Sequence, residues 1–264
     1  ALAVLAATIK NLEWGICIVF AELVIGSFGK ILVLTLGDFQ LPIRMVLWAI
    51  VMMVWIGRVF ARRAPHPGPL PKGEGVRARV AFFHSQFFKP YLILAAVLGW
   101  GIVWGILRGN GLGTVFFDVN NYLYFALVFP VYDVFTHGGR HAINRVSTTM
   151  AAAITWLSVK TILLFYIFSH ELFGLQDVLY AWSRKMQLAE ITNISPLYIT
   201  SRIFMQSQIW ILFGLFVGLG YMFYVASTSR ERPLVLGLFK YKGFLVGLGT
   251  TLCLIALVMS FSRS

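Results

Sequence analysis

The chain reads as an all-α protein, a polytopic transmembrane helical bundle with about seven full spans and a partial one at the N-terminus. Three observations predict this. Of 264 residues, 59% are apolar and only 12% are charged, whereas a soluble chain carries about 25% charged residues. Mean hydropathy is +0.80. Apolar runs near the roughly 20 residues that cross a bilayer as a helix recur along the whole length. The 24 glycines and 16% aromatics fit the same solvent, because both are common in and around membrane helices.

The elements follow in order. ALAVLAATI (1–9) is too short to cross and reads as the end of a longer helix. The full spans are expected at 13–29, 42–60, 90–107, 119–136, 147–168, 204–226 and 243–261. With no initiating Met and no signal peptide, the chain is expected to be a piece of a longer protein, truncated at both ends within one transmembrane domain covering 1–264.

Lysine and arginine in the connections set the orientation. One alternate set of loops holds 14 of them and the other holds 7. The richer set is assigned to the cytoplasm, because positive charge is retained on that side. The longest loop of this set, 61–89, contains APHPGPLPKGEG (64–75). Its prolines and glycines rule out helix or central strand. Neither does it fit a phosphate-binding loop, since it lacks the GK[ST] ending and a following helix. It is expected to be a flexible cytoplasmic connector. The stretch is similar to peptides that arise when a repetitive DNA element enters a bacterial gene, which points to a bacterial inner membrane.

On the opposite, periplasmic side the longest connection is 169–203. Within it LQDVLYAWSRKMQLAEI (175–191) has apolar residues at helical spacing and is expected to form an amphipathic surface helix.

The net charge of +12 and pI near 10 do not indicate nucleic acid, because the basic residues are dispersed over short loops between apolar runs. Cys17 and Cys253 lie inside apolar runs, far apart in sequence, and read as small buried hydrophobes. The five histidines do not cluster, and no HExxH, CxxC, GxSxG or paired-carboxylate pattern is present. The sequence nominates no nucleophile, metal site or cofactor.

Charges inside spans are uncommon and often functional. Three fall there: Glu22, Asp133 and Lys160. Glu22 and Lys160 lie near the middle of their expected spans. They either pair with each other or with backbone to hold helices together, or they line a proton or ion path. Asp133, one turn from a cytoplasmic end, is expected to be solvated. A second constellation faces the periplasm. Arg108 closes one span, GNGLG makes the turn, and Asp118 opens the next span as a helix N-cap. Arg202 begins SRIFMQSQ at the mouth of a further span, and Arg263 closes the last. Each arginine taken alone suits snorkelling to headgroups. Together they suit a lipid diphosphate, which a guanidinium grips as a fork.

Several stretches resemble one family. AELVIGSFGKILVLTLGDFQLPIRMVLW resembles the N-terminal half of bacterial O-antigen ligases and O-antigen polymerase-like proteins. GILRGNGLGTVFFDVNNYLYFALVFPVYD resembles them more closely, and SRIFMQSQIW and LVMSFSRS are similar to their later segments. The resemblance implies a helical inner-membrane glycosyltransferase acting at the periplasmic face on undecaprenyl-diphosphate-linked glycan. Such a protein needs neither a nucleotide sugar nor a metal, and it passes the glycan to an acceptor such as lipid A core or to a growing polymer. It implies that Arg108, Arg202 and Arg263 contact the diphosphate and that Asp118 positions an arginine or a sugar hydroxyl. Members of the family continue into further spans and a large periplasmic loop carrying the catalytic base. Ser264 stands where that half would begin. Two other readings stay open: a transporter or flippase of lipid-linked sugars that uses Glu22 and Lys160, and a membrane scaffold without chemistry.

Overall fold

In a computed structural model, residues 2–26, 33–36, 39–63, 85–170, 172–186, 189–193, 201–205, 207–229 and 236–261 are described. The elements run α1 (Leu2–Lys10), α2 (Leu12–Ile25), β1 (Val33–Leu36), β2 (Phe39–Pro42), α3 (Ile43–Arg63), α4 (Phe88–Leu107), α5 (Leu112–Asn120), a 3-10 segment (Asn121–Leu127) and α6 (Val128–Ser169). After a short 3-10 turn (Leu172–Gly174) come α7 (Gln176–Lys185), β3 (Ala189–Asn193), β4 (Ser201–Met205), α8 (Gln208–Ser229) and α9 (Leu236–Phe261). Residues 64–84 of the expected cytoplasmic loop lie outside the described residues.

The protein is mainly helical, and its helices have the build of a membrane protein. Among the described residues five are long and apolar enough to cross a bilayer: Ile43–Ala61, Phe88–Leu107, Tyr122–Ser169, Gln208–Ser227 and Gly243–Ser260. Five is fewer than the seven full spans expected. The expected spans 119–136 and 147–168 fall together in the 48-residue stretch Tyr122–Ser169. The expected span 13–29 is represented by the 14-residue α2. At 1.5 Å per residue it reaches about 21 Å, against a hydrocarbon layer of about 30 Å.

Contacts gather the chain into two compact units. The first comprises residues 1–18 and 46–146, the second 19–45 and 147–264.

In the first unit, Asn11 separates α1 from α2, and its Oδ1 accepts the Glu13 N–H at 2.9 Å as an N-cap. Thr8 is fully buried. A Cβ placed on Gly15 would come within 2.6 Å of its side chain, so the bare glycine is what lets the two helices approach here. Arg58 of α3 donates to the carbonyls of Thr8 and Ile9 at 3.3 and 2.7 Å. These are among the acceptors that the end of a helix leaves without an intrahelical partner. Trp55 of α3 stacks on Phe129 of α6 (5.7 Å between ring centres), and Tyr91 of α4 meets Phe129 edge-on (5.0 Å). Arg145 forms an ion pair with Glu13 and lies 5.2 Å above the Trp14 ring.

In α6 the backbone leaves helical geometry at Gly139 (φ 54°, ψ −143°), between the expected spans 119–136 and 147–168. Side-chain-bearing residues are penalised in that region by about 1–3 kcal/mol. Gly139→Ala is therefore expected to lower stability by that amount, while Gly57→Ala, with open space around it, raises or preserves it. Thermal unfolding of the two variants in detergent checks this. Asp133 departs from its sequence reading. It is 5% exposed, and its Oδ1 lies 3.2 Å from His137 Nδ1. The helix does break close by, at Gly139, but Asp133 lies on a covered side of it, so the carboxylate is buried and partnered instead of solvated.

In the second unit a core forms around Val24, Ile154, Leu157, Ile203, Met205 and Ile211, with Leu179 of α7 packed on its edge. Gly214 and Gly218 on α8 make a small-xxx-small pair that admits neighbouring helices. A Cβ on Gly214 would reach Ile154 at 2.6 Å, and one on Gly218 would collide with Thr250 of α9.

Two short antiparallel hairpins join the helices. β1 pairs with β2 in the register Val33↔Pro42 to Leu36↔Phe39, and β3 pairs with β4 from Ala189↔Met205 to Asn193↔Ser201. The second hairpin corrects the expected surface helix, which stops at Lys185 instead of running to Ile191. Ala189, Ile203 and Met205 are buried and Ile191 packs on the same core, so alternation with period two wins over the helical pattern there.

Candidate functional site

The first unit holds a groove between α4 and α5. Val97, Gly101 and Gly105 recur every four residues on α4, so they share one helix face, and the two glycines leave that face bare. The chain turns back at Gly109, whose φ is 80°, a conformation glycine adopts without steric cost. The N–H groups of Arg108, Gly109 and Asn110 close α4 on the carbonyls of Trp104, Ile106 and Gly105 at 3.1, 2.9 and 3.3 Å. Asn110 Nδ2 adds a second bond to the Gly105 carbonyl at 3.1 Å. α5 then lies over the glycine face, with Val115 at 3.5 Å from where a Gly105 Cβ would stand.

The groove encloses about 350 Å³. Its second wall carries Asn110, Thr114, Asp118 and Tyr122, again spaced by four. One wall is therefore apolar, with Val97, Leu98 and Ile102 around two glycines, and the other presents an amide, a hydroxyl, a carboxylate and a phenol in a row. Such a cleft suits an amphiphile with an apolar chain and a hydroxyl-rich head. Arg108 stands at the C-terminal end of α4, exposed, with its guanidinium 5.3 Å from the Trp104 ring centre.

Asp118 is not the N-cap expected from the sequence. α5 starts at Leu112, with the Thr114 and Val115 N–H groups turned onto the Gly111 carbonyl at 2.9 and 3.1 Å. Glycine at 109 and 111 makes the turn through backbone alone. Asp118 consequently falls in the second turn of α5, exposed along the groove. Among the described residues no ion pair joins it to Arg108.

The second unit holds a charge cluster. Glu22 occupies the last turn of α2, and its Oε2 accepts from Arg44 Nε, in the first turn of α3, at 2.8 Å. Both side chains are 13% exposed. Lys160 Nζ donates to the Ile25 carbonyl at 3.3 Å. Of the pairings open from the sequence, Lys160 thus takes backbone, and Glu22 takes Arg44, near the start of the expected span 42–60. Glu22 lies at the end of its helix because α2 stops at Ile25, which brings it level with Arg44 across the β1–β2 hairpin.

Of the remaining arginines, Arg202 lies on β4 opposite Thr192, in the second unit, six residues before α8 begins at Gln208. Arg263 lies outside the described residues. Sequence reasoning passed over Asn110, Thr114 and Tyr122 as site residues. Their spacing by four from Asp118 was the available signal, hidden because that stretch was divided between a turn and a straight span. No group of His, Cys, Asp and Glu able to hold a metal occurs among the described residues.

No protein-family profile, characterised protein or solved structure matches the chain.

Proposed function

We propose that the protein handles a polyprenyl-diphosphate-linked glycan at the periplasmic face of a bacterial inner membrane, as the N-terminal part of an O-antigen ligase or polymerase-like glycosyltransferase. One observation carries the reading: the α4–α5 groove sets the Asn110–Thr114–Asp118–Tyr122 row against a bare glycine face, with Arg108 at the end of the same helix. The apolar wall would take the lipid's first isoprene units. Asp118 and Thr114 would bond sugar hydroxyls, since Asp118 is not engaged by Arg108. Arg108 would meet the diphosphate, whose two charges suit a planar guanidinium. In the reaction implied, an acceptor hydroxyl attacks the anomeric carbon and gives its proton to a base in the later half of such a protein, a new glycosidic bond forms, and the polyprenyl diphosphate leaves with the bonding electrons. A cation at that leaving group lowers the barrier electrostatically. The acceptor is a lipid A core or a growing glycan.

The transporter alternative draws less support. Glu22 and Lys160 are both engaged at the end of α2 by Arg44 and by the backbone, as a structural clamp would be.

The test is a comparison of undecaprenyl diphosphate with undecaprenol, titrated into the full chain in nanodiscs and read by native mass spectrometry. The diphosphate is expected to bind more tightly. Arg108→Gln is expected to weaken it by about tenfold, the scale of one charge-assisted hydrogen bond, and to leave undecaprenol unaffected. Equal affinity for both lipids would remove the basis of the reading.

A further inference from the structure

α7 presents three faces, and one is exposed among the described residues. Gln176, Leu179 and Ser183 form the inner face. Gln176 Nε2 donates to the Phe168 carbonyl at 3.1 Å, Leu179 packs on the core, and Ser183 is 1% exposed. Asp177 and Arg184 lie on the polar face, where Arg184 meets the Tyr180 hydroxyl at 2.7 Å. Between them runs an apolar stripe at helical spacing, Leu175, Val178 and Trp182, exposed at 42%, 66% and 42%. Lys185 borders that stripe on the helical wheel, with Arg184 next to it in the chain.

A helix that meets only water has no use for such a stripe. Its position indicates what covers it. α7 begins seven residues after Ser169, the end of a helix long and apolar enough to cross a bilayer, so it starts at the level where hydrocarbon gives way to headgroups. Apolar and aromatic residues on one side, a polar face opposite and basic residues beside the boundary are the composition of a helix that lies in the interface plane. Trp182 and Tyr180 have the amphipathic rings enriched at that depth. Both charges of the last turn are positive, complementary to anionic headgroups.

We infer that α7 is a membrane-surface anchor that sinks Leu175, Val178 and Trp182 into the headgroup region and holds anionic lipid through Arg184 and Lys185. The anchor sets the depth of the β3–β4 hairpin, because α7 packs against β3 and β4 carries Arg202. This inference is independent of the diphosphate reading, since it concerns the bilayer itself and no groove residue takes part.

The test uses the full chain in nanodiscs with Cys17 and Cys253 replaced by alanine and one nitroxide-labelled cysteine at a time. In discs containing phosphatidylglycerol, the label at Val178 is expected to collide more with oxygen than with a water-soluble nickel chelate, and the label at Asp177 the reverse. Replacing the anionic lipid by phosphatidylcholine, or introducing Arg184→Gln with Lys185→Gln, is expected to move the Val178 label toward water. Each basic side chain at an anionic surface is worth about fivefold in that equilibrium. Equal profiles at Val178 and Asp177 would overturn the anchor. A Val178 label shielded from both reagents would overturn it in favour of a protein partner, and a depth indifferent to lipid charge and to the double variant would overturn the anionic-lipid part.

Discussion

Gly218→Leu is expected to disrupt the second unit more than any other exchange considered for this chain. Its side chain would enter the space of Thr250 on α9. Thr250 has little room to yield, because its Oγ1 is already bonded to the Val246 carbonyl at 2.7 Å. In hydrocarbon, helices associate through close packing and not through exclusion of water, so separating α8 from α9 forfeits the contacts that join them. Overpacking typically costs about 1–3 kcal/mol and more where neighbours cannot move. Cys253 offers an internal reporter, since it is buried and its Sγ lies 3.5 Å from where a Gly214 Cβ would stand. In a Cys17→Ala background, labelling of Cys253 by a thiol-reactive fluorophore during heating should begin at a markedly lower temperature in Gly218→Leu. Gly220→Leu is the control, because no described residue lies within 4 Å of that position. If both variants unfold alike, the close α8–α9 approach is not what holds this unit.

The second large effect is expected at the Glu22–Arg44 pair. Each side chain is largely withdrawn from solvent, so Glu22→Ala removes a carboxylate that offsets the guanidinium charge of Arg44. Breaking one partner of a buried pair costs about 3–5 kcal/mol. Arg44→Lys should recover only part of the loss from Arg44→Ala, because the bond is made by Nε of a planar group that an ammonium does not reproduce. The double variant Glu22→Ala/Arg44→Ala should be less destabilised than the two single effects added together, with a coupling of about 0.5–3 kcal/mol. Strict additivity in a double-mutant cycle would mean that the pair is incidental to folding.

The helical, membrane-spanning character was legible from hydropathy because solvent selects for it directly. Positions 88–107 are apolar on every side, and α4 is exposed on nearly every side, as a span in lipid requires. The glycine turn at 109–111 and the break at Gly139 were legible too, since backbone conformations with positive φ select for glycine. The two hairpins were not. KILVLTLGDFQL falls between two expected spans, although Gly37–Asp38 between two apolar stretches is a hairpin signal. In β3 and β4, burial of alternate residues against the core overrode a helical pattern that stops at Lys185.

The sequence by itself determined the solvent, the class of fold and the places where glycine must bend the chain. These depend on transfer free energies and local sterics, which act residue by residue. Only the tertiary structure decided the partners. It gave Glu22 to Arg44 and Lys160 to a carbonyl, moved Asp118 from a cap to a groove wall, and buried Asp133 beside His137. Each of these is set by which helix ends meet in space. A pairing distance of about 3 Å depends on helix lengths and crossings that no local propensity encodes.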